Sequence, residues 1–322
     1  MELTASYYDE RFREGYADYW PQERYTRVAA LIKSLDLPQT GTALDFGCGN
    51  GSFTKLLADT LPGWTVVGAD LSSVAVANCL RKYPALTFLQ IDGLDGMRGR
   101  FDLIWSHHVL EHVPDLDATW QRFGALVSER GQAVHVMPCG NAGSLEHRLC
   151  LLRRDGIDES REGRFYCDDG PHLRRATTRS MSAAAGRAGF TLTSAWYSQH
   201  YWSQLWPYAQ KDMKYLLKLT SPSAAVDTGA ALRLVSYRAA FMTLALGCLP
   251  TLYRWKLDDR GYQHWSDRLR HAVALSLTPI STPLSRWLRR KAEQEWAMRR
   301  DDPAGGEMYL HFQTSRASAN LP

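Results

Sequence analysis

From Thr42 onward, short apolar runs rich in β-branched or aromatic residues alternate with stretches whose apolar positions fall three and four apart. The runs are "TALDFG", "WTVVGAD", "LTFLQID", "FDLIWSH" and "GQAVHVMP", and each predicts a buried strand. Between them, "SFTKLLADTL", "SVAVANCLRKY" and "DLDATWQRFGALVSE" have the length and spacing of crossover helices. A sixth unit follows, in which "TTRSMSAAAGRAGF" predicts a helix ending at Gly189 and "TLTSAWYSQHYW" the next strand. Strand and helix in alternation specify a doubly wound, mostly parallel sheet.

The alternation breaks over 203–303, which reads as mainly helical, and resumes after the turn "DDPAGG". There Met308, Leu310 and Phe312 alternate with Tyr309 and His311 at a period of two. The predicted fold is therefore α/β, a seven-stranded, mostly parallel sheet with a helical insertion before the last strand. Its expected divisions are an N-terminal helical cap over 1–40, an α/β domain over 41–202, the insertion over 203–303 and a final strand over 304–316. The terminal "RASANLP" reads as disordered.

Composition is that of an ordinary globular chain of 322 residues with a net charge of +4. The charge is unevenly placed: residues 201–303 carry 16 Lys and Arg against 9 Asp and Glu, and seven of the eleven tryptophans lie at or after Trp196. Six cysteines show no C-x-x-C pair and no metal-finger spacing, which predicts reduced, structural thiols and no zinc finger. The start, "MELTASYYDERF", has no apolar secretory segment. The run "AAFMTLALGCLPTLY" contains Pro250 and falls short of about eighteen uninterrupted apolar residues, so the expectation is a cytoplasmic protein that spans no bilayer.

The candidate chemistry starts at "ALDFGCGNGSFTKLL", Ala43 to Leu57. Glycines between a strand and a helix let the backbone turn sharply and approach a ligand closely. The spacing is D-x-G-x-G-x-G from Asp45, not the usual dinucleotide spacing, and no G-K-[ST] follows, which argues against a P-loop nucleotide site. The second strand ends in Asp70, placed to accept hydrogen bonds from ribose hydroxyls, and the third ends near Asp92, placed to accept from an adenine amino group.

In order, "LDFGCGNG", "VVGADLS", "LQIDG", "FDLIWSHHVLEHVPD" and "GQAVHVMP" resemble the motifs of class I S-adenosylmethionine-dependent methyltransferases, over roughly Thr42 to Phe190. A strand followed by "VLEHV" is similar to the small-molecule branch that includes quinone and sugar O-methyltransferases. The resemblance implies S-adenosylmethionine as cofactor, with Asp45, Gly47 and Gly49 at its methionine part, Asp70 at the ribose, Leu71, Asp92 and Gly93 at the adenine, and Ser106 beside the sulfonium. That ligand carries no phosphate, in keeping with a glycine loop that has no lysine.

"HHVLEH" contains H-x-x-E-H, a metalloprotease pattern, but it follows a buried strand and Pro114 interrupts any long helix, so that reading is set aside. In some quinone O-methyltransferases the corresponding positions resemble divalent-metal ligands; here they are His108, Glu111 and His112, and a histidine in place of an acidic ligand argues against magnesium. The plainer reading is that Glu111 and His112 cap and pack the turn, and the sequence alone assigns no metal. A histidine beside the sulfonium suits proton removal from an acceptor hydroxyl, with an unperturbed pKa of about 6.5. His107, His108 and His172 are the candidates, and Tyr7, Tyr8, Tyr16 and Tyr25 either line the pocket or pack a core.

The expected activity is methylation of a hydroxyl on a small-molecule or glycan-type acceptor, with no nucleic-acid partner. The alternatives are a quinone or lipid-linked O-methyltransferase, a nicotinamide oxidoreductase, and a non-catalytic module that keeps the fold. In "LSRWLRRKAEQEWAMRR", Leu284, Leu288, Ala292 and Trp296 fall four apart, with Arg286, Arg289, Arg290, Arg299 and Arg300 largely off that stripe. This predicts either a lid packed on its own protein or an interfacial helix that makes 203–303 a peripheral membrane contact.

Overall fold

The computed structural model describes residues 4–16, 20–210, 213–260 and 265–314; the terminal "RASANLP" and the last two residues of the expected final strand lie outside them. Two helices, α1 (Ala5–Arg13) and α2 (Gln22–Ser34), precede strand β1 (Thr42–Phe46). The alternation then runs α3 (Ser52–Thr60), β2 (Thr65–Asp70), α4 (Ser73–Lys82), β3 (Thr87–Gln90), β4 (Phe101–His107), α5 (Leu116–Leu126) and β5 (Val127–Pro138). Helix α6 (Leu145–Leu151) and a short antiparallel pair, β6 (Ile157–Asp158) and β7 (Arg164–Phe165), lead to α7 (Thr178–Arg187) and β8 (Phe190–Ser198). Helices α8 (Trp202–Gln210), α9 (Met213–Leu219), α10 (Thr228–Arg260) and α11 (Trp265–Arg299) separate β8 from β9 (Glu307–Thr314).

Seven strands form one sheet in the order β3-β2-β1-β4-β5-β9-β8. Pairing is parallel between β3 and β2, β2 and β1, β1 and β4, and β4 and β5. The central strands are apolar on both faces because helices cover both: Ala43, Leu44, Leu103, Ile104, Trp105 and Val134 are fully buried. The order of connection reverses between β1 and β4. In such sheets the carboxyl ends of the strands at the reversal open a crevice, and Phe46 and His107 stand at those two ends.

The chain divides into two compact units. The first comprises Met1–Pro138, Gly170–Ala195 and Met308–Pro322 and holds the sheet. The second comprises Cys139–Asp169 and Trp196–Glu307, so it takes in a segment that the sequence reading gave to the α/β domain and begins earlier than 203.

Within the second unit, Leu205, Tyr208, Leu216, Leu234, Phe241, Cys248 and Leu288 form the core, with Leu284 packed against it. The predicted stripe thus faces its own unit: Leu288 and Ala292 are buried, while Arg286, Arg289, Arg290 and Arg300 are exposed. This corrects the interfacial version of that helix, since its apolar face is already covered. Other apolar side chains do face outward, among them Leu232, Leu246 and Leu249 on α10 and Leu269 and Ile280 on α11. Thr228–Tyr253 is, by length and composition, apolar enough to cross a membrane, with a mean hydropathy of 1.3. Counting uninterrupted apolar residues passes over it because Arg233 and Arg238 break the run.

Candidate active site

The glycine loop leaves β1 with left-handed backbone at Gly47 (φ +75°) and Gly49 (φ +53°). The N–H groups of Gly47 and Cys48 both donate to Ala69 O, at 2.7 and 3.0 Å, which ties the loop to the end of β2. A Cβ on Gly47 would fall 2.4 Å from Val109 Cγ2, so the glycine brings the loop against the turn that follows β4. At Gly49 the nearest atom to such a Cβ is Phe12 Cζ at 4.0 Å, so α1 packs over the loop there in ordinary contact.

Two buried carboxylates stand near the ends of β1 and β2. Asp70 Oδ2 accepts from Gly49 N–H (2.8 Å) and its Oδ1 from Ser72 N–H (2.9 Å). Burial raises its pKa above the ordinary carboxylate value. Asp45, 1% exposed, accepts from Thr54 Oγ1 at 2.6 Å, and burial pushes its carboxyl up to about 7. Helix α1 is held nearby by Asp9, which accepts from Ser72 Oγ (2.6 Å), Ser73 Oγ (3.0 Å) and Val74 N–H (3.2 Å) at the start of α4. The adjacent Tyr8 phenol is pushed up to about 12 by burial first and then by neighbouring charges that include Asp70 and Glu111.

Beyond Val109 lies a cluster of aromatic and basic groups. His107 stacks on Phe53, with centroids 4.2 Å apart, and Trp20 lies 5.0 Å from the rings of both His107 and His108. His108 has φ 55°, an uncommon backbone for a residue with a side chain, and such strain gathers at functional positions. Arg24 of α2 lies over Trp20 at 4.0 Å, and its Nη1 is 3.2 Å from His107 Nε2 and 3.3 Å from His108 Nε2. A guanidinium can only donate, so each Nε2 presents a lone pair. His108 Nδ1 sits 2.9 Å from Glu111 Oε1, close but off the line of a well-aligned hydrogen bond. Glu111 is 2% exposed; burial alone would raise its carboxyl, but the charges of His108, His112 and His172 hold it below the usual value.

His172 joins Glu111 and His112, its ring centroid 4.9 Å from that of His112. Leu173 N–H donates to Glu111 O at 2.8 Å, and the Arg174 guanidinium donates to the carbonyls of Leu110, Val113 and Pro114, so the segment bearing His172 is strapped to the turn. Leu71 is 37% exposed, while Asp92 and Gly93 lie exposed in a 3-10 turn, Ile91–Leu94, after β3 has ended at Gln90. Ser106 departs from the sequence expectation. Its hydroxyl is fully buried and 2.7 Å from His135 Nδ1, whose ring packs on Trp120 and Phe123, so its side chain belongs to the core. Sequence reasoning passed over Asp9, Trp20 and Arg24. Arg24 left a trace, since it precedes Val28 by four residues and Leu31 by seven and so falls on the buried face of α2.

A family model described as a methyltransferase domain matches residues 18–195, more than half of the chain. The chain belongs to the class I S-adenosylmethionine-dependent methyltransferases. S-adenosylmethionine is the cofactor of that family.

This methyltransferase is 31% identical over 128 residues to a trans-aconitate 2-methyltransferase of Methylobacterium radiotolerans, covering 39% of this chain and 49% of the relative. It is 38% identical over 127 residues to the enzyme of the same name from Deinococcus radiodurans, covering 38% and 46%. The chain spans about half the length of the curated relatives it matches. Among solved structures, a TehB-like SAM-dependent methyltransferase from Corynebacterium glutamicum aligns with a TM-score of 0.39 and 18% identity, covering 61% of this chain and 88% of that one. The glycine loop and the turn after β4 meet at Gly47 and Val109, and Arg24 lies within hydrogen-bond distance of both His107 and His108.

Proposed function

We propose that the protein transfers a methyl group from S-adenosylmethionine to the hydroxyl oxygen of a small-molecule acceptor, with His108 as the base. When bound, S-adenosylmethionine supplies a methyl carbon made electrophilic by a sulfonium. In this reading Asp70 accepts hydrogen bonds from its ribose hydroxyls, Asp45 faces its ammonium, and Leu71 with the Asp92–Gly93 turn borders its adenine. The observation that carries the assignment is His108 itself. Its Nδ1 faces the buried Glu111 at 2.9 Å and its Nε2 is a hydrogen-bond acceptor, the arrangement of a base oriented by a carboxylate. Once an acceptor hydroxyl displaces the Arg24 N–H from its lone pair, His108 Nε2 would take the hydroxyl proton as the oxygen attacks in line, and Glu111 would stabilise the imidazolium. His107, stacked on Phe53, would form part of the wall.

Mass spectrometry of small molecules that copurify with the protein tests the cofactor half, with S-adenosylhomocysteine as the expected finding. Its absence, together with no S-adenosylmethionine binding by calorimetry, would overturn the reading. A second reading is favoured by Arg24 and by the relatives' name: the acceptor oxygen is a carboxylate anchored by that guanidinium. A carboxylate has no proton to remove, so replacement of His108 would then leave turnover largely intact while Arg24→Gln would raise KM.

A further inference from the structure

Glu111 is a poorly satisfied buried carboxylate of the first unit. Both of its carboxylate oxygens are buried without a well-aligned hydrogen bond among the described residues, His108 Nδ1 lying 2.9 Å from Oε1 but off line. A buried carboxylate in that state is costly unless positive charge stands close by. In His112, Nδ1 lies 3.1 Å from Pro171 O, which can only accept, so Nδ1 carries the proton and Nε2 keeps a lone pair. One donor atom from each of Glu111, His112 and His172 lies within 4.8 Å of the others.

We propose that Glu111, His112 and His172 form a binding site for a divalent ion of the first transition row, best matched to Zn2+, with a coordination position left open to a small oxygen ligand. Two imidazoles and a carboxylate suit Zn2+ and its neighbours, whereas Mg2+ and Ca2+ take sets of oxygens. Three protein donors leave a fourth position of a tetrahedral ion available. Donors bonded at about 2.0–2.2 Å stand roughly 3.4 Å apart, so an ion would draw these three side chains inward. The outer contacts are in place. Pro171 O holds the His112 ring through its Nδ1–H, the usual second partner of a ligating imidazole, and the Leu173 and Arg174 bonds hold the His172 segment against the turn. The ligand set differs from the one that the sequence motif suggests, since His108 faces Arg24 and its place is taken by His172 from a segment 60 residues beyond His112.

Protein without a histidine tag, stripped with a chelator and dialysed, is titrated with Zn2+ by calorimetry and with Co2+ by absorption spectroscopy. The expected result is one ion per chain, cobalt d–d bands without a sulfur charge-transfer band, and a thermal transition raised by Zn2+. Glu111→Gln and His172→Ala should each weaken Zn2+ binding by about 10²-fold or more, with circular dichroism unchanged. No stoichiometric binding, a sulfur charge-transfer band, or wild-type affinity in both variants would overturn the site. If either variant fails to fold, His112→Gln and the wild-type cobalt spectrum decide. Cofactor binding measured on the metal-free protein is a separate readout, so failure of the metal site and failure of the methyl-transfer reading remain distinguishable.

Discussion

Both units bury charged groups, and certain ones in the sheet unit are less completely bonded than those described in the helical unit. In the helical unit, Glu295 is 2% exposed and accepts from the N–H groups of Tyr201 (3.0 Å), Trp202 (3.1 Å) and Ser203 (2.9 Å), which caps α8. Arg153, 5% exposed, donates to the carbonyls of Lys218 (3.0 Å) and Leu219 (2.7 Å) and pairs with Asp155. In the sheet unit, Glu111 has no aligned donor, Asp45 stays protonated up to about pH 7 despite its bond from Thr54, and His108 sits on strained backbone. A buried charge whose bonds are complete stabilises a fold. One whose bonds are incomplete is held ready for something that arrives.

The largest test of this contrast is His108→Asn, since asparagine tolerates the left-handed backbone that position requires. Turnover should fall by about 10²–10⁴-fold while S-adenosylmethionine affinity by calorimetry stays nearly unchanged. Unchanged turnover would move the chemistry to the carboxylate reading. Glu295→Ala probes the other unit: with the cap of α8 gone, stability should drop by about 3 kcal/mol in thermal or denaturant unfolding. If cofactor affinity fell with it, the separation of the two kinds of charge would fail.

Asp70→Ala should weaken S-adenosylmethionine binding by roughly 1–3 kcal/mol, because ribose hydroxyls would lose a charged acceptor. An intact affinity in a folded variant would remove this aspartate from the cofactor site. The smallest effect is a pH dependence set by Asp45. Its folded pKa of about 7 lies above the unfolded value, so the folded chain holds more protons and this group's contribution to stability declines as pH rises from roughly 4 to 7. A cofactor ammonium favours the ionised form, so affinity should climb with pH and level off above about 7, with proton release on binding below that pH. Calorimetry in two buffers of different ionisation enthalpy reads that release. Asp45→Asn should abolish it and flatten the stability profile over the same range.

Much of the sheet unit was legible because its signals are local. Strand runs buried on both faces, crossover helices with three- and four-residue spacing and a glycine loop are each contained in a short window, and the reversal between β1 and β4 follows from their order. Asp45, Gly47, Gly49 and Asp70 lie at the ends of β1 and β2 and in the turn before α3, elements that the same local signals place. Ser106 was misjudged because alternation along β4 decides which side of the sheet a residue faces, and its hydroxyl went to His135. Arg24 was hidden because a cation on the apolar face of a helix has no meaning until its partners, 83 and 84 residues later, are known.

By itself, then, the sequence determined the alternation of strands and helices, the glycine turn and the carboxylates at the strand ends, since each depends on neighbours a few positions away. Tertiary structure decided which of three histidines meets which partner. His108 faces Arg24 and Glu111, whereas His172 is brought to Glu111 and His112 by bonds from Leu173 and Arg174 that close a long loop. It also decided that the stripe of α11 is core. Those outcomes depend on distances between residues far apart in the chain, which local pattern does not encode.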